Sequence, residues 1–502
     1  MNKAIAALST RLSCGIPNHL NNEETSRGFV ETLASAYEKA RNALEYRANN
    51  LVRRAAIERI LRRRMFLDKN PETLASDLLT ELKWARYLSG EETKATKKPE
   101  LSKILEKYTS YNGHVIPPEW IVKIASAEIE EHFNLNRDYN QFTFFTFQTV
   151  KQKITIPDEN LDLLVYFAVD KIFAGSDDEQ IAYHIISLAG SSIDSLKLEE
   201  GWKLFNSAKV SKLVPRINKF VRRQMPPLVL LRDIYFSSPN NFRVIIENRE
   251  KFLIRAKDVL KNQLEQMSGK ISTAGIRSVL YVFLTKMVLA FGLEIPYEIF
   301  FYGQLNKLPL IINIVFPPLL MWITTMQIKV PTIKERETLV LRTWDIVENF
   351  DMLKNEDDTL TANSFESRAS FAYYFFSTLY SIFFVGIFVL IFYVLGLIGF
   401  RFFSKLIFIF FLTIIAFFAY RISQIAKVYS WKKQSKESSS LIDMIFLPIL
   451  TIGSLLSQGL SKLNFLAFAF DFILEAPFKL ILGFVDDWVQ FLSMKKEEQI
   501  LE

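Results

Sequence analysis

The sequence predicts an all-α chain in two solvent regimes. A basic helical N-terminal domain faces water, and a polytopic α-helical membrane domain of about four transmembrane helices follows, ending in an amphipathic C-terminal helical hairpin. Three observations predict this. Apolar residues recur at helical spacing before residue 276, long uncharged Phe/Ile/Leu runs dominate after it, and charge is unevenly placed. Of 502 residues, those before 276 carry 41 Lys and Arg against 34 Asp and Glu, and the remainder carry 20 of each. The formal excess of +7 therefore sits wholly on the polar half. That balance suits an anionic lipid surface and equally nucleic acid, because net charge alone does not separate them.

Residues 1–25 read as a flexible N-terminus. The apolar patch in MNKAIAALSTRLSCG is too short for a secretory signal, and Arg11 spoils a lipoprotein box before Cys14. A basic, acid-free start leaves a mitochondrial presequence as the alternative. Cys14 is the sole cysteine, so no intrachain disulfide can form, and no N-x-S/T sequon occurs.

The basic all-α domain is placed at 26–275. Residues 26–65 set Phe29, Leu33, Tyr37, Leu44, Leu51 and Ile57 in a helical pattern. Asn70-Pro71 opens the next helix, 90–100 is a polar linker, and Pro117-Pro118 starts another helix. Asp158 and Asp177/Asp178 cap two more. Residues 141–156 (QFTFFTFQTVKQKITI) have strand propensity, yet no partner strand is visible among the helices. They are expected to be helical or a lone extended segment.

The first membrane hairpin is placed at 276–327, with 276–302 the weaker span and Pro317-Pro318 breaking or kinking the second. A loop at 328–370 leads to a second transmembrane hairpin, 371–420, whose first 30 residues carry no charge. The loop 421–440 has Arg421, Lys427, Lys432, Lys433 and Lys436 against Glu437 alone, which the positive-inside rule puts in the cytoplasm. With four spans, the N-terminal domain and 328–370 share that side. A bacterial inner (plasma) membrane is expected, with a mitochondrial membrane as the alternative. In 441–502, polar residues recur at helical spacing on an apolar body, which fits an interfacial or re-entrant hairpin.

Lys286, Glu294 and Glu298 are the charges inside the weak span, and intramembrane charges hint at function. At 100° per residue they fall within about 120° of one face. Either this face meets other helices, with Lys286 paired to Asp471 or Glu475 of the terminal stripe, or the helix lies shallow and Lys286 snorkels while the glutamates reach water. An ion or proton path is the third reading.

Residues 204–228 place Lys209, Lys212, Arg216, Lys219 and Arg223 at steps of three and four, a face for anionic lipid or an acidic partner, or a solvated bundle surface. Arg53, Arg54, Arg59, Arg62, Arg63 and Arg64 wrap around their helix without an RNA-binding motif, so nucleic acid is not expected. The four histidines lie far apart, and no HExxH, CxxC, GxSxG or GxGxxG occurs. No enzyme activity, cofactor or metal is expected. The expected role is non-catalytic interaction or assembly at a lipid bilayer, with a protein partner or as a homo-oligomer. The rival is a transporter or channel using Lys286 and the Pro317-Pro318 break.

Overall fold

Helices make up nearly all of the described chain, as the periodicity predicts. This computed structural model describes residues 3–12, 51–88, 97–133, 137–190, 195–326, 331–348, 359–361, 371–426, 428–431 and 441–462, with isolated positions at 34, 38, 328, 484–485, 488 and 491–492. The chain divides into two compact units. One holds Met1–Ser9, Gln152–Pro157 and Arg223–Leu463, and the other Thr10–Lys151, Asp158–Arg222 and Asn464–Glu502. Residues 223–275 thus belong with the apolar helices rather than with the charged half.

Where a flexible N-terminus is expected, the structure has helix α1 (Lys3–Arg11), because Ile5, Leu8 and Leu12 form one buried stripe.

Among the described residues, the charged unit is built from short helices, two of them with side-chain caps. Its α2 (Val52–Leu67) buries Ala55, Ala56, Ile57, Ile60 and Leu61. Asn70 caps α3 (Pro71–Trp84) by accepting from the Glu72 N–H, with Pro71 at the first helical position. Residues 97–100 of the expected linker open α4 (Lys97–Thr109), which buries Leu101, Leu105 and Tyr108 at helical spacing. Next come α5 (Pro118–Phe133), α6 (Arg137–Lys151) and α7 (Leu161–Val169). A capping box of Asp177 and Gln180 opens α8 (Asp178–Leu188). Helix α9 (Ser195–Val210) carries Trp202 and Phe205 onto Trp120 of α5, with ring centroids 4.9 and 5.6 Å apart.

The Phe/Thr-rich segment is mostly α6, and its last residues form β1 (Ile154–Thr155). A partner strand does exist: β2 (Leu360–Thr361) pairs in parallel, Ile154 opposite Leu360 and Thr155 opposite Thr361. It lies 206 residues away, beyond the reach of local pattern.

Helix α10 (Val214–Ser237) begins in the charged unit, enters the apolar one at Arg223 and stays helical through Pro226 and Pro227. After α11 (Phe242–Glu247), the 41-residue α12 (Arg249–Leu289) runs across the boundary expected at 275/276. Its burial pattern inverts along its length. Before residue 276 it buries Phe252, Ala256, Leu260 and Leu264; from there on, Ile276, Leu280, Leu284 and Val288 are exposed while Val282 and Lys286 are buried. Apolar out and polar in is the arrangement of a helix that leaves water for lipid.

A π turn (Ala290–Glu294) joins α12 to α13 (Ile295–Tyr302), and α14 (Lys307–Met326) returns. Of the break or kink expected at Pro317-Pro318, the break does not occur. Helix α14 is continuous and buries Pro309, Asn313, Pro317 and Met321, a stripe of four-residue steps packed against α12 and α17 (Phe402–Ala426). Helix α15 (Ile333–Glu348) sets Trp344 on Phe252 of α12 at 5.2 Å. Helix α16 (Phe371–Leu397) packs Ile387 with Ala416 of α17 and Ile449 of α18 (Leu441–Lys462). Among the described residues, four helical segments are long and apolar enough to cross a membrane: Arg249–Tyr302, Lys307–Met326, Ser377–Leu397 and Phe402–Ser423. They fit a membrane protein.

Among the described residues of the apolar unit, two glycines set helix spacing. A Cβ on Gly275 would lie 2.2 Å from Thr325 Cγ2, and one on Gly453 the same distance from the Thr413 carbonyl oxygen. No larger residue fits these crossings of α12 with α14 and α17 with α18.

Candidate functional site

Pro296 is the local cause of the site. It has no N–H for the Gly292 carbonyl, and in a regular helix its ring would crowd that oxygen. The chain widens instead, and the Ile295 N–H donates to the Ala290 carbonyl, one residue further back than α-helical bonding would reach. In a regular helix Glu294 and Glu298 would stand about 80° and 120° around from Lys286. The extra residue removes about 100°, bringing both to within about 20° of Lys286. All three charges therefore line one stripe.

That stripe is buried. Lys286 is 0 %, Glu294 1 % and Asn313 0 % exposed. Lys286 Nζ donates to Glu294 Oε1 at 2.6 Å, Asn313 Nδ2 donates to the same oxygen at 2.7 Å, and the ammonium stands 4.8 Å from the Phe411 ring centroid. Glu294 Oε2 and Asn313 Oδ1 are buried with no donor among the described residues. The snorkelling expected of Lys286 does not occur, because Glu294 on the same stripe supplies its counter-charge inside the helix packing. The expected partners Asp471 and Glu475 lie outside the described residues.

Glu298 performs a separate task one turn on. It accepts from the Asn306 backbone N–H at 2.9 Å and from Ser404 Oγ at 3.5 Å, with Arg401 Nη1 3.9 Å away. Asn306 Nδ2 donates to the Gly399 carbonyl at 2.9 Å, and Arg401 donates to the Gln304 carbonyl at 3.1 Å while covering the Tyr302 ring. The 303–306 and 398–401 turns are thereby tied together. Arg401, Asn306 and Ser404 were missed from sequence. Arg401 and Lys405 are the only charges between 371 and 420, and that isolation was the available signal.

The basic face of 204–228 is not one helix, since residues 211–213 separate α9 from α10. Lys209 closes onto Asp178 at 2.8 Å and stands over Trp120. Lys212, Arg216, Lys219 and Arg223 are exposed.

The arginines of α2 are engaged by carboxylates of their own unit. Arg53 bonds Glu130, Arg59 bonds Glu38, Arg62 bonds Glu58, and Arg63 and Arg64 converge on Glu81. Arg54 is buried on Asp177 at 2.7 Å and Glu58 at 3.0 Å. Burial lifts the Asp177 carboxyl to about 6 despite Arg54 beside it. A second cluster sits at the π turn Asp170–Ala174, where His184 Nδ1 meets Asp170 Oδ2 at 2.6 Å and Ser176 Oγ donates to Asp170 Oδ1. Burial opposes charge on His184, but Asp170 and Glu131 outweigh it and push the imidazole up to about 10. Among the described residues, no group of three His, Cys, Asp or Glu side chains could hold a metal ion.

Set against protein families, curated proteins and solved structures, the chain matches none.

Proposed function

We propose that this chain is a non-catalytic, membrane-anchored interaction or assembly protein. One observation carries the reading: the charged groups of the weak span close on one another. Lys286, Glu294 and Asn313 bond within the helix packing, and α14 runs unbroken through Pro317-Pro318. Features that a solute path would use are here parts of helix packing. The charged helices project a large water-facing surface, and the exposed cations of α10 suit anionic lipid or an acidic partner. The Lys/Arg bias of 421–440 favours a cytoplasmic N-terminal half at a bacterial plasma membrane.

A second reading, transport, is favoured by the buried, donorless Glu294 Oε2 and Asn313 Oδ1, which could take up a proton or cation. One experiment separates the two: purification from native membranes in mild detergent, with the mass of the complex measured and each chain identified. A second protein at fixed stoichiometry, cross-linked to the charged helices, is the expected result. A homo-oligomer whose liposome flux is abolished by Lys286→Met would overturn it in favour of transport.

A further inference from the structure

An apolar groove of about 630 Å³ lies between α16 and α17, lined chiefly by Val385, Phe388, Phe392 and Leu397 on α16 and Ile409 on α17. Its volume falls in the range of small-molecule sites, about 300–1,000 Å³. A single cation stands in it. Lys405 Nζ sits 4.2 Å from the Phe392 ring centroid, and no carboxylate among the described residues pairs with it. Arg401, one turn earlier, differs, being held by the Gln304 carbonyl and the Tyr302 ring. Across from Lys405, Gly396 leaves room beside the ammonium, since a Cβ there would come within 2.8 Å of Nζ. Lys405 lies four residues past Arg401 of the 398–401 turn, a depth from which a lysine reaches the headgroup layer. An uncompensated cation at one end of an apolar groove complements one amphiphile: an acyl chain carrying an anionic head.

We propose that this groove binds one anionic phospholipid, with an acyl chain along α16 and its phosphate on Lys405 Nζ. The site is distinct from the basic face of α10 and does not depend on which function the protein serves.

The test uses the full chain, stripped of lipid in mild detergent and offered phosphatidylglycerol or phosphatidylcholine with identical acyl chains. Native mass spectrometry counts the lipids retained. The expected result is one phosphatidylglycerol held about fivefold better than phosphatidylcholine, the factor that about 1 kcal/mol from one lysine provides. Lys405→Gln should remove that preference, and Lys103→Gln, at an exposed lysine of α4, should leave it intact. Gly396→Leu should reduce retention of both lipids while Lys405 keeps its charge. Circular dichroism and gel filtration confirm that each variant is folded. Equal retention of the two lipids by the unaltered protein would overturn the proposal. So would a preference that survives Lys405→Gln, retention unchanged by Gly396→Leu, or displacement of the lipid by equimolar glycerol phosphate, which has no chain for the groove.

Discussion

Lys286 and Glu294 are eight residues apart and meet at 2.6 Å on one helix face because a single π turn lies between them. Removing one partner strands the other charge among apolar helices. Lys286→Met should destabilise the protein by about 3–5 kcal/mol. The double variant Lys286→Met/Glu294→Met should recover most of that loss. Thermal unfolding in detergent of both singles and the double gives the coupling, and additive effects would mean that the pair does not interact.

Removal of Pro296 tests the origin of the stripe. An interior proline ordinarily costs a helix about 3 kcal/mol, so Pro296→Ala should stabilise if only local propensity counted. Here it lets the π turn revert to α-helix and swings Glu294 about 100° away from Lys286. The expected outcome is a loss of Lys286–Glu294 coupling in the Pro296→Ala background, read by the same thermal cycle.

The Gly275 and Gly453 crossings should respond differently to a single methyl group. At Gly453 a Cβ meets backbone, the Thr413 carbonyl, and at Gly275 it meets the Thr325 side chain. Both Gly→Ala changes should cost about 1–3 kcal/mol. Thr325→Gly should rescue Gly275→Ala, whereas no side-chain change at Thr413 should rescue Gly453→Ala. Unfolding midpoints of the four variants check this.

His184 makes the charged unit sensitive to alkali. Its folded pKa, about 10, lies above the ordinary 6.5, so the stabilisation it brings is fully present below about pH 6.5 and is lost as pH rises through about 10. Urea unfolding followed by Trp120 and Trp202 fluorescence should show a decline of about 2–4 kcal/mol across that interval. The decline should be absent in His184→Gln.

The cations of α10 predict salt-sensitive adhesion. The full chain in neutral nanodiscs should bind anionic vesicles and release them as ionic strength rises. Reversing Arg216 and Lys219 to glutamate should weaken binding by more than about tenfold, at about 1 kcal/mol per basic residue. Equal binding to neutral vesicles would rule out the charge as cause.

Local chemistry was legible in the sequence. Asn70-Pro71 and Asp177 announced their helix starts, and the uncharged run from 371 to 400 announced a span. The misread elements depend on geometry that spacing cannot express. A constant 100° per residue put Lys286 and Glu294 about 80° apart on one broad face, and the π turn closes that angle to about 20°. Pro317-Pro318 read as a break or a kink because the buried stripe from Pro309 to Met321 takes its meaning from the helices packed on α14, which are not visible in one helix alone. The partners of the α2 arginines were not legible because Glu38, Glu81, Glu130 and Asp177 come from four other places in the chain.

Helix α12 is also a lever. Its 41 residues extend about 60 Å, twice the roughly 30 Å of a bilayer's hydrocarbon core, with its charged first half on one side of the inversion and Lys286 near the other end. A rigid rod of that length tilted by about 10° displaces its far end by about 10 Å. A partner that tilted this rod from its charged end would move the Lys286–Glu294 junction by up to about that distance.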